Sequence, residues 1–198
     1  MNFDFIEIGT SDFDTLIEKC NNNEVGLCVE PLNEYLRRLP DKPKVIKANY
    51  ALSDNSGNAK IFYVKPQDIV KYNLPNWVRG CNSLNFPHPT IKKLLGDKHD
   101  SIVKVENIQL ITWSKLISLY KIESVKYLKI DTEGHDGVIL EEYYKECIKN
   151  PLLLANTILF ENNVLSNKNN MKSIISLFIN LGYKGVPLGD DFKLEKIL

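Results

Sequence analysis

A chain of 198 residues has room for one domain with a sizeable core. Its 43% hydrophobic and 25% charged residues are ordinary for a globular protein, and 25 basic and 25 acidic side chains cancel, which leaves no overall footprint for nucleic acid or a membrane surface. No apolar run approaches the roughly 20 residues of a membrane span, and no basic stretch precedes Phe3 as in a signal peptide. Cys20, Cys28, Cys81 and Cys147 have no C-x-x-C spacing and read as reduced thiols of a cytoplasmic protein.

In chain order, Phe3, Phe5, Ile6 and Ile8 make a short strand. Phe13, Leu16, Ile17 and Cys20 recur at i, i+3, i+4 and i+7, one face of a helix that Ser11 or Asp12 can cap. Val25 to Val29 is a continuous apolar run, as in a strand buried on both faces; Val45 to Ala48 and Lys60 to Val64 are further strands. Between Lys65 and Asn107 the periodicity breaks among Pro66, Pro75, Pro87 and Pro89. That segment reads as a long lid or substrate-facing insertion, with short helices at Gln67–Lys71 and Thr90–Leu95.

Order returns with a strand at Ile108–Ile111 and a helix carrying Leu116, Ile117 and Tyr120 behind a Thr112 or Ser114 cap. A strand at Val125–Ile130, a helix face of Leu140, Tyr143, Tyr144 and Cys147, and a strand at Thr157–Phe160 follow. Met171, Ile174, Ile175, Phe178 and Leu181 mark an amphipathic helix ended by Gly182. Strands near Tyr183–Val186 and Phe192–Lys196 close the chain. The alternation predicts a single α/β domain over residues 1–198, built on a largely parallel sheet.

Ligands of such sheets bind beyond the carboxyl ends of the strands. The first strand is followed by Glu7-Ile-Gly9-Thr10-Ser11-Asp12-Phe13. A dinucleotide fingerprint needs G-x-G-x-x-G, and only Gly9 is present, which argues against an NAD-type oxidoreductase. Glu7, Asp12 and Asp14 surround the turn; carboxylates oppose a phosphate and suit a ligand with a positive centre. Glu30, in Cys28-Val-Glu-Pro31, lies 21 positions after Gly9, where a carboxylate can accept both hydroxyls of a ribose. Alone, Gly9 is a tight turn and Glu30 a solvated strand end. Together they point to an adenosine-bearing cation such as S-adenosylmethionine.

The chain resembles the FkbM-type branch of the class I S-adenosylmethionine-dependent methyltransferases. The resemblance rests on Phe5-Ile-Glu-Ile-Gly9, Val29-Glu30-Pro31, Asn49-Tyr-Ala-Leu-Ser-Asp54 followed by Gly57, Thr112-Trp-Ser-Lys-Leu116, Tyr127-Leu-Lys-Ile-Asp131-Thr-Glu133-Gly134, and Phe160-Glu161-Asn162. It implies a Rossmann-like fold with a mostly parallel seven-stranded sheet, an antiparallel last strand and helices on both faces. It implies a cofactor site of Glu7, Gly9, Thr10 and Ser11 around the methionine part, Glu30 and Pro31 at the ribose, and Tyr50, Ala51, Leu52 and Ser53 near the adenine. The family's acceptor class is a hydroxyl of a sugar, glycan or small metabolite. One departure stands out: Phe13 replaces a second glycine, and a side chain there would block close approach of the cofactor. A catalytically inactive interaction scaffold is the alternative that Phe13 favours.

The second acidic stretch is Asp131-Thr-Glu133-Gly134-His135-Asp136. Methyl transfer to a hydroxyl requires an aligned oxygen and an acceptor for its proton. Asp131 and Glu133 are the first candidates, and His135, with a near-neutral pKa, is the next. The same carboxylates with Glu161 and Asn162 suit a magnesium-like cation, or brace the loop through backbone N–H groups. In the insertion, Trp77, Arg79, Asn82, Ser83, Asn85, Phe86 and His88 mix flat apolar faces with hydrogen-bonding groups, as a small-ligand pocket does; a self-packed surface loop is the equal alternative. No helix precedes the first strand, so this segment, or a partner subunit, would cover the acceptor.

Overall fold

The computed structural model describes residues 1–84, 86–163, 165–166 and 168–197. Strand β1 (Asn2–Ile8) leads to α1 (Leu16–Lys19), β2 (Gly26–Val29), α2 (Asn33–Leu36) and β3 (Val45–Ala48). Then come β4 (Ala51–Leu52), β5 (Gly57–Val64), α3 (Pro66–Lys71), a 3-10 turn (Asn76–Arg79), α4 (Pro89–Leu95) and α5 (His99–Ile102). The second half alternates: β6 (Val103–Ile111), α6 (Trp113–Tyr120), β7 (Ser124–Ile130), α7 (Asp136–Lys149), β8 (Thr157–Glu161), α8 (Lys168–Asn180), β9 (Tyr183–Leu188) and β10 (Asp191–Lys196).

Seven strands form the main sheet in the order β3-β2-β1-β7-β8-β10-β9. The five strands from β3 to β8 run parallel, and β10 is antiparallel to both its neighbours. This is the mostly parallel seven-stranded sheet with an antiparallel last strand that the family resemblance implies. Residues alternate between its faces. Ile6 and Ile8 of β1 pack into the core with Trp113, Leu116, Ile139, Leu140, Tyr143 and Phe178 from α6, α7 and α8. Phe5 joins Ile17, Cys28, Leu36 and Leu39 beside α1 and α2 on the other face. All four residues of β2 are buried, which explains its unbroken apolar run.

Three differences from the sequence reading have physical causes. Helix α1 begins at Leu16, not near Phe13: Thr15 is its N-cap, in a capping box with Glu18. Ser11 and Asp14 hold left-handed backbone, φ 49° and 53°, so a helix cannot start there. The segment from Lys65 is largely ordered into α3, the 3-10 turn, α4 and α5, and β6 already begins at Val103. Finally, β4, β6 and β5 form a separate three-stranded sheet. Val103 to Leu110 of β6 pairs antiparallel with the whole of β5. Much of this pair is exposed, so the apolar alternation that announces a strand is faint there.

Candidate functional site

The carboxyl ends of β1, β2 and β7 meet at one edge of the main sheet. A cleft of about 460 Å³, with the open solvent at its mouth included, lies between their loops. Ile8, Gly9 and Ser11 line it from β1 and its turn, and Val29, Glu30 and Pro31 from the end of β2. Tyr50, Ala51, Leu52 and Ile61 make an apolar wall, completed by Leu84 with Gly80 and Asn82 from the insertion. Asp131, Thr132 and His135 close it beyond β7.

The single glycine of the first turn is required by contact with the β7 loop. Gly9 has φ +80°, and a β-carbon there would stand 2.0 Å from the carbonyl oxygen of Asp131. The turn then brings Ser11 N–H to Glu30 Oε2 at 2.7 Å, while Leu32 N–H donates to Oε1 at 2.9 Å. Glu30 is 2% exposed. Burial pushes its carboxyl up to about 7, and those two N–H groups oppose the rise. Each oxygen retains a lone pair for a further donor.

The acids that surround the turn in sequence are neutralised within the chain. Glu7 is fully buried; it accepts Leu16 N–H at 2.8 Å and Lys129 Nζ at 3.0 Å. Asp12 pairs with Arg38 and with Arg79 Nη1 at 3.1 Å, and Asp14 with Lys19. None of the three lines the cleft, so the expectation that they face a cationic ligand is corrected: Glu30 and Asp131 are its lining acids. Thr10 is buried beside the cleft and donates to the Ser11 carbonyl at 3.2 Å. Phe13 is 42% exposed and does not line the cleft either.

Beyond β7, Asp131 keeps 46% of its side chain open yet loses enough water around the carboxyl to rise to about 7, with Lys129 opposing. Glu133, at φ 52°, turns away to meet the insertion. Its Oε2 is 3.1 Å from His88 Nε2. His88 Nδ1 accepts the Thr90 N–H at 3.2 Å, so the ring proton sits on Nε2 and donates to Glu133. Cys81, His88 and Glu133 have metal-ligand proximity, but a metal on Nε2 would force a proton onto Nδ1, against the Thr90 N–H. This set is a latch between two loops, not a metal centre.

Ligand oxygens of Asp131, Glu133 and Glu161 lie within 4.8 Å of one another. Glu161 Oε2 is buried without a partner. Burial and the neighbouring carboxylates push Glu161 up to about 9. Asn162 follows it and donates its backbone N–H to Asp190 at 2.8 Å. Asp136, 1% exposed, binds Thr132 N–H, Thr132 Oγ1 and Glu161 N–H, and so ties the β7 loop to β8.

His135 has a defined tautomer. Ser53 Oγ lies 3.1 Å from Asp54 Oδ1 and 3.0 Å from His135 Nε2. The one hydroxyl proton goes to the carboxylate, so Ser53 accepts from Nε2–H and Nδ1 keeps the ring's lone pair. Burial lowers the His135 pKa, with Asp54 opposing, which keeps the ring neutral. Ser53 therefore touches His135 and does not itself line the cleft.

Of the insertion's polar groups, Asn82 lines the cleft. Arg79 pairs with Asp12 through Nη1 while its Nε is buried without a partner, and Ser83 makes a long 3.5 Å contact to the Glu133 carbonyl while its backbone pairs with Phe62. Trp77 and Phe86, 39% and 77% exposed, stand outside the cleft; Asn85 lies outside the described residues. The sequence reading did not assign Ile8, Val29, Ile61, Gly80, Leu84 or Thr132 as lining residues, nor Asp136 as a brace. Thr132 and Asp136 sit in the second acidic stretch, and Gly80 and Leu84 beside candidate residues of the insertion, so these could have been found; Ile61 reaches the cleft from β5 with no spacing to announce it.

No helix among the described residues is long and apolar enough to cross a membrane. No curated protein matches the chain. The family model described as the methyltransferase FkbM domain matches residues 6–184, and the chain belongs to that family of methyltransferases.

Proposed function

We propose that this methyltransferase uses S-adenosylmethionine and transfers its methyl group to a hydroxyl of a sugar, glycan or small metabolite. The observation that carries the cofactor is Glu30. It is buried at the end of β2 with lone pairs left for a vicinal diol, beside an apolar slot of Tyr50, Ala51, Leu52, Ile61 and Leu84 that suits a purine. The path of the Gly9 turn keeps Phe13 out of the cleft, which removes the main support for an inactive scaffold. When bound, the cofactor supplies an electrophilic methyl on a sulfonium. The chain supplies two lone-pair donors lining the same cleft, Asp131 and His135 Nδ1, to orient the acceptor hydroxyl and take its proton. Glu133 is engaged by His88 and serves by holding the insertion over the site, in the role of a lid. The acceptor class is supported by the family resemblance. Four free cysteines suit a reducing, cytoplasmic setting.

A second reading of the acidic cluster has its own observation. The unpartnered Glu161 Oε2 beside Asp131 and Glu133 offers a hard cation an oxygen site. Turnover that survives exhaustive chelation would dispose of that cation. For the cofactor, calorimetric titration with S-adenosylhomocysteine is decisive: binding is expected, and a folded protein that binds none would return the chain to the scaffold reading.

A further inference from the structure

We propose that Asn82 belongs to the cofactor site: its carboxamide oxygen accepts a ribose hydroxyl across from Glu30. The inference rests on the reading that the cleft takes S-adenosylmethionine. It transfers Asn82 from the acceptor pocket, where the sequence suggests it, to the nucleoside.

Asn82 Oδ1 is buried and has no hydrogen-bond partner, although the residue lines the cleft. Its orientation is fixed by chemistry. Nδ2 donates to the Arg79 carbonyl at 2.8 Å, and a flipped amide would set two acceptors face to face. The oxygen therefore points away from Arg79 and lacks a donor. A buried acceptor without one is costly unless a ligand supplies it.

A chain of short contacts, starting from Nδ2 of the same carboxamide, ties Asn82 to the Glu30 end of the cleft. The same Arg79 carbonyl accepts Ser11 Oγ at 2.7 Å, and Ser11 N–H donates to Glu30 Oε2 at 2.7 Å. Asn82 and Glu30 thus flank Ser11 at one end of the cleft. A ribose brings two adjacent hydroxyl donors to that end, and Asn82 Oδ1 and Glu30 are two acceptors approaching from different loops. The insertion's aromatic residues Trp77 and Phe86 stand outside the cleft, so they do not define a sugar-acceptor pocket around Asn82.

Binding can be tested without an acceptor, using S-adenosylhomocysteine and its 2′-deoxy and 3′-deoxy ribose analogues. Wild type should lose about tenfold in affinity for each analogue, one hydroxyl bond apiece. N82A should lose about tenfold for the parent ligand and nothing further for the one analogue that lacks the hydroxyl Asn82 holds. Three results overturn the inference: N82A binding the parent like wild type, N82A losing the same factor for all three ligands, or wild type ignoring both deletions. If folded wild type binds no S-adenosylhomocysteine, the cofactor reading falls and this inference with it. A loss confined to the Asn82 comparisons leaves the cofactor reading standing.

Discussion

The backbone of Gly9 lies against that of Asp131 so closely that a β-carbon on Gly9 would meet the Asp131 carbonyl oxygen at 2.0 Å. The β1 and β7 loops are thereby locked together, and the cleft depends on both. G9A faces a backbone clash and an unfavourable left-handed φ. It should destabilise by about 3 kcal/mol or more and lose S-adenosylhomocysteine binding. Urea unfolding is the measurement; a midpoint equal to wild type would show that the loops can separate freely.

Glu30 links cofactor binding to pH. Burial raises its folded pKa to about 7, above the ordinary carboxylate value of 4.5. As pH rises from about 4.5 to about 7, the unfolded chain releases this proton while the folded one retains it, so the Glu30 contribution to stability falls across that window. A ribose diol donates best to the ionised carboxylate. Binding should therefore expel a proton below pH 7 and tighten as pH rises through 7. Calorimetry in two buffers of different ionisation enthalpy reads the proton directly. E30Q should abolish its release and bind less tightly by about 1–3 kcal/mol.

What the sequence discloses follows from how locally each feature is encoded. β2 was legible because burial on both faces leaves an unbroken apolar run, β1, β7 and β8 because apolar residues dominate their short core-facing segments, and α8 because Ile174 and Phe178 keep helical spacing beside Met171. Parts of β5 and β6 read as strands, but the extent and pairing of the small sheet were not legible: Val105 of β6 is 52% exposed, and the pairing of β6 with β5 spans more than forty residues, as Ile61 with Glu106 shows. The same holds in the site. Glu30 could be placed by its distance from Gly9, a spacing set by one strand–helix–strand unit. The neutralising partners Lys129 of Glu7 and Arg79 of Asp12 could not, because they come from far along the chain.

Glu7 and Lys129 form a buried pair that also supports α1, since Glu7 accepts the Leu16 N–H and Lys129 donates to the Asp14 carbonyl at 3.1 Å. K129M leaves the Glu7 carboxylate buried without its cation. The expected loss is about 3–5 kcal/mol at neutral pH. Burial already raises Glu7 in the wild type, where Lys129 holds it down. Without Lys129 it should hold its proton to higher pH, so the deficit should shrink as pH falls towards the carboxylate range. Denaturant melts from pH 5 to 8 test this, and a deficit independent of pH would mean that Glu7 is not the group left uncompensated.

Asp54, Ser53 and His135 form a relay whose effect is to reserve Nδ1 of His135 for the cleft. The chain has three histidines, so nitrogen-15 spectra of labelled protein can resolve each ring. Wild type should show His135 protonated on Nε2 and neutral at pH 7. S53A removes the oxygen that accepts this proton and should shift the ring towards a mixture of tautomers, leaving S-adenosylhomocysteine affinity within about twofold. Once an acceptor is in hand, H135Q and D131N separate the two proton acceptors. The variant lacking the group that takes the proton should lose about 10²-fold or more in kcat, with cofactor affinity nearly unchanged. If both retain wild-type kcat, proton removal by these two cleft groups is not part of the rate-limiting step, and the acceptor hydroxyl must lose its proton to solvent after transfer.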